Sequence, residues 1–113
     1  LIISALVSCQ EDSKTFDLGV DIQSFFDQDD VQVFIDDKQV IHEELKTDPV
    51  FIVCSSVRLQ KNEGNHTIRV VVNDTSAKTE VFQLKNDLFI GVNYDPISKE
   101  VSFIYASHPF GYR

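Results

Sequence analysis

Phe16-Asp17-Leu18-Gly19-Val20-Asp21-Ile22-Gln23 alternates apolar and polar residues without a break. A period of two is the mark of a half-buried β-strand, since successive side chains leave a strand on opposite faces. Phe16, Leu18, Val20 and Ile22 therefore face a core, and Asp17, Gly19, Asp21 and Gln23 face away from it. No stretch of the chain carries a sustained helical stripe, so this reading extends outward in both directions.

Downstream, Val31, Val33 and Ile35 alternate up to Asp36-Asp37-Lys38, a turn composition, and Val40 with Ile41 resume as the returning arm of a hairpin with short arms. After Asp48-Pro49, where proline disfavours helix on its leading side, Phe51, Val53, Ser55, Val57 and Leu59 define another inward row. Glu63-Gly64-Asn65 closes a turn, and His66, Ile68, Val70 and Val72 follow as the next row up to Asn73-Asp74-Thr75-Ser76. Val81-Phe82-Gln83-Leu84 leads to a tight Asn86-Asp87 turn with Leu88, Ile90, Val92 and Tyr94 returning beside it. Asp95-Pro96 makes the next corner. Val101, Phe103 and Tyr105 then line one face of the last strand, with Ser102, Ile104 and Ala106 on the other. Seven or eight short strands at regular spacing predict an all-β, antiparallel, immunoglobulin-like β-sandwich, in keeping with a mature length of about 100 residues. The immunoglobulin Cys, Trp, Cys signature is absent, because the chain has no tryptophan.

The 113 residues suit one domain with a proper core, and 42% hydrophobic with 25% charged residues is ordinary for a globular chain. Eighteen acidic against ten basic side chains give a net charge of -8, all of it after Cys9. Such a chain repels phosphate backbones, so nucleic acid is not an expected partner.

The apolar run Leu1 to Val7 is too short to span a bilayer, which needs about 20 residues in a helix. It suits the back half of a secretory signal, and cleavage by an ordinary signal peptidase after Ser8 would put bulky Leu6 at -3. Leu6-Val7-Ser8-Cys9 instead resembles the lipobox of bacterial lipoproteins: Leu6 at -3, apolar Val7, small Ser8 at -1, then Cys9. That resemblance implies cleavage before Cys9, a diacylglycerol thioether on its sulfur and a further acyl chain on the new amino terminus. Several acyl chains hold where one is marginal, each buried CH₂ contributing about 0.8 kcal/mol. The competing reading makes Leu1 to Val7 an amino-terminal strand and Cys9 a core or disulfide cysteine. The run lacks alternation and stops at the polar spacer Gln10-Glu11-Asp12-Ser13-Lys14, which favours the signal. Acidic residues after the lipidated cysteine resemble the surface-export signals of Bacteroidota lipoproteins, and a plain solvated linker fits them equally. The expected organisation is the end of a signal peptide over residues 1–8, a lipidated cysteine and tether over 9–15, and the sandwich over 16–113.

Glu63 to Val70 contains a G-x-H-x-I-x-V pattern similar to strand starts in bacterial immunoglobulin-like and transthyretin-like modules. The order of hairpins from Val31 to Tyr105 resembles that of small envelope lipoproteins. Both resemblances bear on fold, and function does not follow from fold.

The chain contains no G-x-S-x-G, H-E-x-x-H, G-x-G-x-x-G or P-loop. His42, His66 and His108 are far apart and read as strand-edge or turn residues. Asp27, Asp29 and Asp30 are the densest carboxylate group and the weak candidates for calcium, whose six to eight oxygen ligands an acidic loop can supply. Asp36 and Asp37 belong to the far end of the same strand, about 20 Å away, too far to share an ion. No metal and no cofactor beyond the diacylglycerol is expected. Phe25-Phe26 points to both faces of a strand, so one ring is a candidate binding surface. Tyr94 and Tyr105 fall on core rows, while Tyr112 lies near the end. Cys54 reads as a buried thiol, with a disulfide to Cys9 open only if Cys9 carries no lipid. Asn65-His66-Thr67 and Asn73-Asp74-Thr75 match glycosylation acceptors, which in a bacterial envelope mark turns.

The expectation is a lipid-anchored, non-enzymatic protein of the bacterial cell envelope, anchored at the outer membrane and facing outward, that binds a protein or glycan. Its alternatives are a carbohydrate-binding accessory module, a small hydrolase built on His42 or His66, and a structural or adhesin subunit whose last strand joins a neighbour's sheet.

Overall fold

The computed structural model describes residues 14–23, 27–46 and 55–111, and of Asp27, Gln28, Leu45 and Lys46 the backbone alone. Among the described residues eight strands run in order: β1 (Thr15–Ile22), β2 (Asp27–Ile35), β3 (Lys38–Lys46), β4 (Ser55–Asn62), β5 (Gly64–Val72), β6 (Ser76–Leu84), β7 (Leu88–Asp95) and β8 (Glu100–Ala106). They form two four-stranded sheets, ordered β4-β1-β7-β8 and β3-β2-β5-β6. The fold is an all-β sandwich, as the alternation implies. Every neighbouring pair is antiparallel except β1 and β7, which run parallel.

The core forms where the inward rows of the two sheets meet. Leu18, Val20, Ile22, Ile90 and Val92 of the first sheet face Val31, Val33, Ile68, Val70 and Val72 of the second, all fully buried. These rows are mostly Val and Ile, stiff at χ1 and well suited to a pleated surface. Val57 and Leu59 on β4 are half-buried and pack against them.

Two connections read as turns within a sheet are steps between sheets. Leu84 ends β6 in the second sheet and Leu88 opens β7 in the first, so these strands are not a hairpin. The loop between them is pinned by Asp87, whose Oδ1 accepts from the Asp17 N–H at 2.9 Å. Likewise β4 and β5 are separated by Glu63 alone and lie in different sheets. Gly64 turns this corner with φ at +131°, a backbone conformation that L side chains rarely adopt. A short polar connector has the same composition whether the chain folds back beside itself or crosses to the facing sheet.

The real hairpins use left-handed residues. Ile35 pairs with Lys38, leaving Asp36 (φ 51°) and Asp37 (φ 67°) as a two-residue turn of the mirror-image type that matches strand twist. Both arms run to nine residues, longer than the alternation alone predicts. Glycine is the preferred second residue of such a turn, so Asp37→Gly is expected to stabilise the fold by about 0.5 kcal/mol, relief of the left-handed strain exceeding the entropy glycine adds to the unfolded chain. A thermal melt reads this as a rise of about 2–4 °C; a fall would show that the Asp37 side chain has a role in the turn.

On the outer face of the first sheet, Gly19 sits level with Arg58 on β4 and Phe89 on β7. The Arg58 guanidinium crosses the glycine and lies 5.1 Å from the centre of the Phe89 ring, with Nη1 3.3 Å from Asp21 Oδ1. A Cβ at position 19 would come within 2.5 Å of Arg58 Nη1. Gln23 lies similarly over Gly91, and its Oε1 accepts from Asn93 Nδ2 at 2.8 Å. These side chains bury Phe89 and Asp21 on a face that alternation assigns to solvent; Asp21 is only 3% exposed.

Candidate functional site

The polar clusters of the described residues hold the fold together. Asp29 and Asp30, at the start of β2, engage the β5–β6 turn. Asp29 Oδ1 accepts from Asn73 Nδ2 at 2.8 Å, the Asp30 N–H donates to Asn73 Oδ1 at 2.8 Å, and the Asn73 N–H donates to the Asp30 carbonyl at 2.7 Å. Asp30 Oδ1 also lies 3.0 Å from His42 Nε2 on the neighbouring strand. Asp27 opens β2. Among the described residues no group of three or more His, Cys, Asp or Glu could hold a metal ion.

At the other end of β2, Asp36 is a hub. Its Oδ1 accepts from the Thr67 N–H at 3.0 Å, and its Oδ2 lies 2.6 Å from His66 Nδ1 and 3.1 Å from Lys61 Nζ. Burial pushes this carboxyl up, but the hydrogen bonds from His66, Thr67 and Lys61 outweigh it and hold Asp36 below the usual aspartate range. His66 Nε2 meets the Asn62 carbonyl at 2.6 Å, and its ring tilts against Phe82 at 5.9 Å. Both His66 nitrogens are thus within hydrogen-bond distance of oxygens of the fold itself. The hub ties the β2–β3 turn to the β4–β5 corner. Ser55 Oγ, a hydroxyl of the kind a hydrolase needs, donates to Glu43 Oε2 at 2.5 Å. His108 is exposed in the tail after β8.

A different arrangement occurs at the β7–β8 hairpin. A groove of about 450 Å³ opens there, lined by Asn93, Asp95, Pro96, Ile97, Ser102 and Ile104 among others. Asp95, the charged residue of this lining, has its carboxylate engaged in its own turn. Its Oδ1 accepts from the Ile97 N–H at 2.9 Å and the Ser98 N–H at 3.3 Å, and these two bonds hold the carboxyl below its ordinary range. The side chains that stand out are apolar: Ile97 is 93% exposed at the tip, and Ile104 is 51% exposed on β8.

The inner side of β8 is closed against β6. Tyr105 donates its hydroxyl hydrogen to Glu80 Oε1 at 2.5 Å, and Lys78 Nζ lies 5.6 Å from the centre of the Phe103 ring. Burial, then the bond to Glu80 and its charge, push the Tyr105 hydroxyl far above the ordinary tyrosine range. Tyr105 therefore departs from the core position its row assigns, being 40% exposed at the sheet edge, whereas Tyr94 is buried.

Comparison with protein-family models, with curated proteins and with solved structures finds no match to this chain.

The candidates Leu6, Val7, Ser8 and Cys9, the Phe25-Phe26 pair, Cys54 and Tyr112 lie outside the described residues. Sequence reasoning did not single out Ile97 and Ile104. Two signals were present: an isoleucine in the turn Pro96-Ile97-Ser98-Lys99, and a last strand whose second face reads Ser102, Ile104, Ala106 with no charge.

Proposed function

We propose that this chain is a lipid-anchored, non-enzymatic interaction module of the bacterial cell envelope, held at the outer membrane through acyl chains on Cys9 and presenting its β7–β8 end to a partner. The observation that carries the interaction half of this reading is the apolar groove with Ile97 and Ile104 exposed beside it. Monomeric surfaces scatter apolar residues singly, whereas apolar residues grouped around a concavity mark contact sites. A binding role is favoured over catalysis because His66, Asp36, Asp95 and Ser55 are each bonded within the fold. The lipobox letters around Cys9 support the anchor.

The test is intact mass spectrometry of the protein expressed in a bacterium behind a complete signal, comparing Cys9 with Cys9→Ala in membrane and soluble fractions. The expected wild-type product begins at Cys9, is heavier by its acyl chains and is found in the membrane fraction. The Cys9→Ala chain should lack that added mass altogether. A wild-type chain with an unmodified Cys9, or with Cys9 bridged to Cys54, overturns the anchor.

A further inference from the structure

We infer that β8 is a pairing edge for a second copy of this chain, the two β8 strands lying antiparallel about a two-fold axis at Phe103 and joining the first sheets of both copies. This rests on the reading of the β7–β8 end as an interaction surface and names its occupant.

Among the described strands four stand at sheet edges: β4 and β8 in one sheet, β3 and β6 in the other. An edge offers unpaired N–H and C=O groups, and proteins protect such edges with charged side chains and bulges. Three of the four are protected in that way. β3 carries Lys38, Glu43, Glu44 and Lys46 and meets β2 through two register shifts. β4 carries Arg58 and Lys61, and β6 carries Lys78 and Glu80. β8 has no charge, proline or glycine from Val101 to Ala106, and among the described strands it pairs only with β7.

The same patch supplies both halves of the contact. In the two-fold arrangement Ile104 of each copy stands opposite Ser102 of the other on the outer face, since 102 and 104 are equally far from the axis at 103. Ser102 lines the groove. The exposed Ile104 of one copy is thereby delivered to the mouth of the other's groove, at cross-strand distances of about 5 Å. Main-chain bonds along β8 and side chains seated beside the strand are the usual division of labour in strand addition.

Charge selects the antiparallel direction. Parallel pairing would set Glu100 beside its own equivalent, whereas antiparallel pairing places the two Glu100 residues at opposite ends of the joined strands. Six residues at about 3.3 Å each separate them by about 20 Å, twice the screening length of roughly 8–10 Å in physiological salt. The net charge of -8 on each copy still repels at long range. Association therefore strengthens as salt is added, opposite to a contact held by ion pairs.

Sedimentation velocity of the full chain under reducing conditions, over a range of concentrations and at low and moderate salt, tests the pairing. The wild type is expected to pass from monomer to dimer, at lower concentration in the higher salt. Ile104→Lys supplies the edge charge that the other three strands have, and two-fold symmetry counts it twice, so the dissociation constant should rise about 100-fold. Ser102→Lys should act in the same direction, whereas Ser56→Lys on β4, at the opposite edge of the sheet, should leave the dimer unchanged. Ile104 and Ser102 are both exposed, and a thermal melt checks that each variant folds. A wild type that stays monomeric throughout, or a dimer that survives both β8 substitutions, overturns the pairing. Neither result bears on the anchor, which falls instead with an unmodified Cys9.

Discussion

Ile90→Ala is expected to lower the free energy of unfolding by about 3 kcal/mol. Ile90 is fully buried on β7, level with Val20 on β1 and Tyr105 on β8. Its removal loses the transfer energy of the deleted carbons and leaves a cavity that the surrounding Val and Ile residues, fixed by the sheet and stiff at χ1, cannot easily refill. Ile104→Ala, one strand away and half-exposed, should cost less than about 1 kcal/mol. Urea unfolding of the two variants at equal denaturant slope measures the contrast, with the wild type as reference. Similar losses at the two positions would mean that the inward row of β7 is not the centre of the core.

Asp36→Ala should cost about 2–3 kcal/mol at neutral pH, because it removes the acceptor shared by the Thr67 N–H, the His66 ring and Lys61, and leaves the largely buried imidazole facing nothing at Nδ1. Asp36→Asn retains an oxygen for Thr67 and should cost about half as much. The sign of the pH dependence follows from the direction of the shift. Asp36 is held below its ordinary range in the folded chain, so its contribution is fully present above the unfolded value near 4 and is lost as pH falls through the lower folded value. The gap between wild type and Asp36→Ala should accordingly narrow below about pH 4. A gap that stays constant down to strong acid would show that the ionised carboxylate is not what Thr67, His66 and Lys61 are holding.

The inward rows were legible from sequence because one face of each strand is a core and the other is not. Leu18, Val20 and Ile22, and Ile68, Val70 and Val72, have the burial their spacing predicts. Sheet membership was not legible: Lys85-Asn86-Asp87 reads as a hairpin turn, and only the pairing of β6 with β5 and of β7 with β1 and β8 shows that the chain crosses there. The Asp36 hub was half visible. Asp36 reads as a turn residue and His66 as a strand start, but their meeting across thirty positions depends on the register that sets Ile35 beside Ile68. Gly19 gave the least warning, since a glycine in an alternating strand looks like a polar-face position of no consequence.

That glycine and Gly91 leave two notches in the sheet, and the chain fills them with its own groups: a guanidinium over one and a carboxamide over the other. The outer face is thus tiled along β1 and β7 by residues that the sandwich already owns, and opens only towards β8, where Ser102 and Ile104 stand out. Inheritance of this surface depends on two absent methyl groups. A single added carbon at position 19 would displace Arg58 and uncover Phe89, extending the adhesive part of the face from β8 across to β1, so drift at these two sites bears directly on which company the protein keeps.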